Sequence, residues 1–97
     1  MDKFLAMNTF VQIVEKGSLT AAAAILDTSL PSVVRTLATL ERDLGVRLLN
    51  RTTRRIHLTE GGAQYLEHCR AILSAVHEAD AALTSRLTEP QDRKSVV

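Results

Sequence analysis

Between residues 29 and 55 the chain carries side chains suited to gripping a polyanion: the hydroxyls of Ser29, Ser32, Thr36 and Thr39, the guanidinium of Arg35, and then Arg51, Thr53, Arg54 and Arg55. Hydroxyls and guanidiniums are the groups that hydrogen-bond to phosphate oxygens and base edges, and Arg does so through a bidentate fork that Lys lacks. Their spacing matters as much as their type. Val33, Leu37, Leu40 and Leu44 recur at the intervals of one apolar helix face, so Ser32, Arg35, Thr36 and Thr39 belong to the opposite face of the same predicted helix. Such a face suits reading base edges and phosphates from a major groove. The alternative for Arg35 is an exposed, helix-stabilising side chain paired with Thr39 or Glu41 nearby.

The net charge of +1 conceals a division along the chain. Residues 1–28 carry two basic and three acidic side chains, a balance of −1; residues 29–58 carry six Arg against Glu41 and Asp43, a balance of +4; residues 59–97 carry four basic and six acidic side chains, a balance of −2. A concentration of Arg beside a candidate groove-binding helix is the electrostatic footprint of a duplex-binding face, where neutralised phosphates release counterions.

Few other chemistries have support. The single Cys69 excludes an intramolecular disulfide and a cysteine zinc cluster and suits a reducing cytoplasm. His57, His68 and His77 lack ligand spacing, so no metal and no cofactor is expected. No Ser/His/Asp set, paired carboxylates or phosphate loop is evident, Gly61-Gly62 alone being weak, and the reading is of a protein that is not an enzyme. No apolar run is long enough to span a membrane, and no signal-peptide pattern opens the chain.

The elements that would position these groups follow from periodicity and caps. Ninety-seven residues, 45% hydrophobic with 3% aromatic, point to a single mostly α domain rich in Leu, Ala and Val. A first helix is predicted over Asp2 to Lys16, with Phe4, Met7, Phe10, Val11 and Val14 as its stripe and Gly17 as its stop. Ser18 is a candidate cap for a short alanine-rich helix, Thr20 to Leu26, followed by a turn at Asp27-Thr28-Ser29. Ser29 caps the third helix, Pro31 fits its first turn, and Gly45 ends it. Val46, Leu48, Ile56 and Leu58 around a polar middle predict a short β-hairpin tipped by Thr52, Thr53 and Arg54. Thr59 then caps a long fourth helix reaching about Leu87. Its seam, Leu66, Cys69, Ile72, Leu73, Val76, Ala79, Leu83 and Leu87, is longer than a 58-residue headpiece can cover, so a partner helix is implied.

Taken together, Ala21-Ala22-Ala23, Ser29 to Val33, Leu40-Glu41, Leu44 to Leu49, Arg51-Thr52 and Leu58 to Gly62 resemble the N-terminal domain of LysR-type transcriptional regulators, over about Met1 to Leu87. The resemblance implies a winged helix-turn-helix, three helices plus a short hairpin wing, followed by a long dimerisation and linker helix. The expected division is 1–58 for the DNA-binding headpiece, 59–88 for the linker helix, and 89–97 for a disordered tail or the start of an interdomain linker. It implies double-stranded DNA as partner, a homodimer or higher oligomer, and a roughly palindromic operator. A small-molecule effector would act only through a C-terminal domain absent from this chain, which would then be an isolated DNA-binding fragment or a shortened product. Ser29, Ser32, Arg35, Thr36, Arg51, Arg54 and Arg55 match the family's DNA face, whereas Leu30 and Val34 stand where many members have Gln and Ser; Pro31 lies between them. The competing reading is a helical interaction module whose seam binds another protein and whose Arg cluster is incidental.

Overall fold

The computed structural model describes residues 2–51 and 55–88, with side chains at 2–50 and 55–84. Thr52, Thr53 and Arg54, expected at the hairpin tip, the Arg51 and Leu87 side chains, and the expected tail 89–97 lie outside the described residues. The described chain forms α1 (Lys3–Lys16), α2 (Leu19–Leu26), α3 (Leu30–Leu44), β1 (Leu49–Arg51), β2 (Ile56–Leu58) and α4 (Glu60–Thr88).

The helix boundaries are set by local chemistry. Asp2, Ser18 and Ser29 each accept a backbone N–H three residues on, at 3.2, 3.1 and 3.2 Å, which satisfies an otherwise unpaired amide at each helix start. Gly17 and Gly45 end α1 and α3 in the left-handed region, at φ 72° and 71°. Asp27 does the same for α2 at φ 56°, the one non-glycine residue among those described with a positive φ. A short polar side chain tolerates that conformation better than an apolar one.

The apolar faces converge on one core that includes Phe10, Ile13, Val33, Leu37, Leu40, Leu48 and Leu49. Two expectations change here. In α1 the buried face is broader than the predicted stripe: Ala6 and Ile13 are buried, whereas Phe4 is 44% exposed. The reason is that α1 packs against α2 and α3 and also against α4, so more than one stripe is covered. In the hairpin, Val46 is 47% exposed and Leu48 and Leu49 are both buried, against the predicted alternation. The antiparallel ladder begins only at Leu49, paired with Leu58, followed by Asn50 with His57 and Arg51 with Ile56. Residues 46–48 lie outside it, and strand alternation does not govern them.

The first half of α4 belongs to this same core. Leu66, Cys69 and Leu73 are buried, at 5%, 0% and 8% exposure, and the Phe10 and Tyr65 rings lie 5.9 Å apart. Arg70 and Glu15 add a half-exposed ion pair at 3.6 Å, worth about 0–1 kcal/mol. The expected seam is therefore two faces. Leu66, Cys69 and Leu73 offer little surface to a dimer interface, because they are already covered within the protomer, while Ile72, Val76, Ala79 and Leu83 remain exposed. Nor does a boundary at residue 58 separate two cores.

Candidate nucleic-acid interface

Helix α3 presents the candidate groups by exposing one face while Val33, Leu37 and Leu40 anchor the other. Ser29, Leu30, Pro31 and Arg35 are exposed in its first turns, and Val34 is half-buried beside them. Arg35 has no ion pair among the described residues, so the alternative of a pairing with Glu41 does not hold.

The hydroxyls divide differently from the sequence expectation. Ser32, Thr36 and Thr39 are half-buried, and Ser32 and Thr36 line a depression shared with Leu5 and Thr9 of α1 and Asp27 and Thr28 of the turn. They flank the exposed face rather than crown it. The exposed surface of the first turns is Ser29, Leu30, Pro31 and Arg35, with Val34 half-buried like Ser32, Thr36 and Thr39. Ser29 combines two roles, since it caps α3 and marks the positive end of the helix dipole, where an anion is favoured.

Behind this face, a lock joins α3 to the wing and α4. The Glu41 carboxylate accepts from the backbone N–H groups of Leu48 and Leu49 at 2.8 and 3.2 Å. Thr59 donates its hydroxyl to the carbonyls of Arg47 and Leu48 and accepts from the N–H of Gly62 at 2.9 Å. Its own N–H donates to the Leu48 carbonyl at 3.0 Å. Gly62 permits this approach, because a Cβ there would sit 2.0 Å from the Leu48 carbonyl oxygen. Glu41 and Gly62 were not singled out as positioning residues from sequence; the acid and the glycine pair were visible, but their partners are backbone atoms that only the fold brings near.

Of the wing residues, Arg55 is described and exposed just before β2, so it stands on the hairpin as expected. Among the described residues no three His, Cys, Asp or Glu side chains converge, and no helix is long and apolar enough to cross a membrane.

This geometry recurs in known proteins. The family described as "Bacterial regulatory helix-turn-helix protein, lysR family" matches residues 4–63. The chain belongs to the lysR family. An HTH-type transcriptional repressor of Pseudomonas aeruginosa is 43% identical over 96 residues, covering 99% of this chain and 30% of the repressor. The HTH-type transcriptional activator AaeR of Escherichia coli is 43% identical over 83 residues, covering 86% of this chain and 27% of the activator. The chain thus spans less than a third of the length of either relative. Among solved structures, the CbnR DNA-binding domain in complex with DNA is similar at TM-score 0.77 and 36% identity, covering 88% of this chain and 97% of that one. The BenM DNA-binding domain with its catB site 1 DNA is similar at TM-score 0.82 and 28% identity, covering 92% of this chain and 98% of that one. Four helices and a two-stranded hairpin make this lysR-family domain a mostly α winged helix-turn-helix.

Proposed function

We propose that this lysR-family domain binds double-stranded DNA sequence-specifically, as the DNA-reading part of a bacterial transcriptional regulator rather than as an enzyme. The observation that carries the reading is α3: a Ser29-capped helix whose first turns present an Arg35 without an ion pair among the described residues, braced from behind by the Glu41 lock. The DNA complexes of the two similar domains support it. In this reading Ser29, Arg35 and Arg55 meet the duplex, Ser32, Thr36 and Thr39 line the edge of the contact, and Arg51, Thr53 and Arg54 extend it along the wing. The headpiece of residues 1–58 is completed by the first half of α4, and a cytoplasmic location goes with work on DNA.

The exposed row Ile72, Val76, Ala79 and Leu83 on α4 supports a homodimer, which would present two α3 helices to a roughly palindromic operator. The same row also favours the second reading, an interaction module that binds a different protein without reading DNA. Selection of bound sequences from a random duplex pool separates the two. Enrichment of a two-fold symmetric motif is expected; an unenriched pool, with no duplex binding at low salt, would overturn the first reading in favour of the second.

A further inference from the structure

Leu30 and Val34, four residues apart, make one flank of α3 apolar, and that flank has a specific counterpart in a duplex. Leu30 occupies the first turn and is 41% exposed, although a Leu side chain gains nothing from water at a polar interface. Val34, four residues on, lies on the same flank and extends the apolar surface inward, half-buried. Arg35 stands next to them and provides the charge that draws a polyanion. The major groove offers hydrogen-bonding groups at every base pair, but one apolar group alone: the methyl on C5 of a pyrimidine.

Resting on the DNA-binding reading above, we infer that Leu30 and Val34 form a receptor for the C5 methyl of a pyrimidine, so that this domain selects thymine, and equally 5-methylcytosine, at one position in each half-site. Neither side chain has a hydrogen bond to offer, so discrimination there is by burial of the methyl. A pyrimidine without the methyl, uracil or cytosine, leaves the Leu30 side chain against water. The methyl is read, not the rest of the base, and this predicts a response to cytosine methylation that a hydrogen-bonding side chain at position 30 would not give.

The test uses the selected operator and the protein as it stands. Each thymine is replaced in turn by uracil, which removes the methyl and nothing else, and affinity is measured by fluorescence anisotropy at fixed salt. One position per half-site is expected to lose about fourfold on this change, the worth of one buried methyl. Cytosine at that position should bind about as weakly as uracil and recover on 5-methylation. Leu30→Ala, exposed and so compatible with folding, and Val34→Ala should each bind the thymine and uracil duplexes alike, with circular dichroism confirming the fold. Equal binding of uracil at every position overturns the inference, as does a uracil penalty that survives in both variants. Failure of the unaltered protein to bind any duplex would instead sink the functional reading, and this inference with it.

Discussion

The Glu41 carboxylate, on α3, accepts the backbone N–H of Leu48 at 2.8 Å, and a second hydrogen bond at 3.2 Å reaches the next residue, Leu49. One side chain thus fixes where the hairpin leaves the helix that presents Arg35. Leu48 is held from its other side as well, by the Thr59 amide and hydroxyl on its carbonyl. A rigid angle between helix and wing follows from three groups converging on one residue, and two separate contact surfaces can then meet one duplex in a fixed geometry.

Removing that carboxylate should loosen the wing. Glu41→Ala leaves two amides without their acceptor in a partly buried site, at a cost of about 1–3 kcal/mol. Thermal unfolding should show a melting temperature lower by on the order of 10 °C, and duplex affinity should fall without a change in base preference. Glu41→Gln keeps an acceptor oxygen and should recover part of both. An Ala variant as stable as the original would contradict the lock.

The glycine pair at the start of α4 should respond unequally. A Cβ on Gly62 would meet the Leu48 carbonyl oxygen at 2.0 Å, a backbone atom that cannot step aside. On Gly61 it would meet the Val46 Cγ1 at 2.8 Å, the tip of an exposed side chain able to turn away. Gly62→Ala should therefore cost about 3 kcal/mol or more and Gly61→Ala about 1 kcal/mol or less. Chemical denaturation ranks them; equal losses would show that the close approach at Gly62 is not a real constraint.

What was legible in the sequence was whatever is decided within a few residues. Ser18, Ser29 and Thr59 cap helices because a hydroxyl meets an amide three positions on, and Gly17 and Gly45 end helices by adopting φ above zero. Contacts between elements were not legible. Glu41 looked like a charged residue on a helix, and nothing local says that its acceptor capacity is used seven and eight residues later. In α4, periodicity identified apolar residues but not what covers them, so Leu66, Cys69 and Leu73, which pack into the protomer, were merged with Ile72 and Val76, which do not. The hydroxyls of α3 are half-covered for a related reason: Thr36, three residues after Val33 and four before Leu40, borders the buried face, and α1 and the α2–α3 turn rise beside it.

Arg35→Ala should relax preference at one base position by about 1–3 kcal/mol, the value of one bidentate guanine contact. Arg55→Ala, on the wing, should instead weaken all duplexes similarly and lower the salt slope by about one. Competition binding across single-base variants, repeated at several salt concentrations, distinguishes them. Two variants with the same profile would remove the division of labour between helix and wing.

Stability should fall in alkali through the buried Cys69 and the partly buried Tyr65 beside it. Burial pushes the Cys69 thiol above its ordinary value of 9.0, an effect that the hydrogen bond with Tyr65 partly offsets. Burial, with Cys69 as a lesser cause, likewise raises Tyr65 above 10.0. Both groups are neutral in the fold and ionise more readily in the unfolded chain, so their contribution is whole below pH 9 and is lost as pH climbs through the raised folded values. Urea unfolding between pH 8 and pH 10.5, as an illustrative range of about 2.5 pH units, should show a decline that flattens in Cys69→Ala. The same decline in that variant would exclude the thiol as a cause.

The two faces of α4 make opposite predictions for one substitution. At Leu73, 8% exposed and packed into the headpiece core, Asp would bury a charge with no partner and should unfold the protomer. At Val76, 37% exposed, Asp should leave the fold intact apart from about 0.2–0.5 kcal/mol of repulsion with Asp80 one turn on. Its effect should appear in assembly instead: sedimentation equilibrium should shift from dimer to monomer, and operator affinity should drop because the second half-site is no longer bound intramolecularly. Circular dichroism recorded on both variants separates folding from association. If Val76→Asp sediments as a dimer, the exposed row from Ile72 to Leu83 is not the interface, and the pairing of recognition helices would have to be held by another surface.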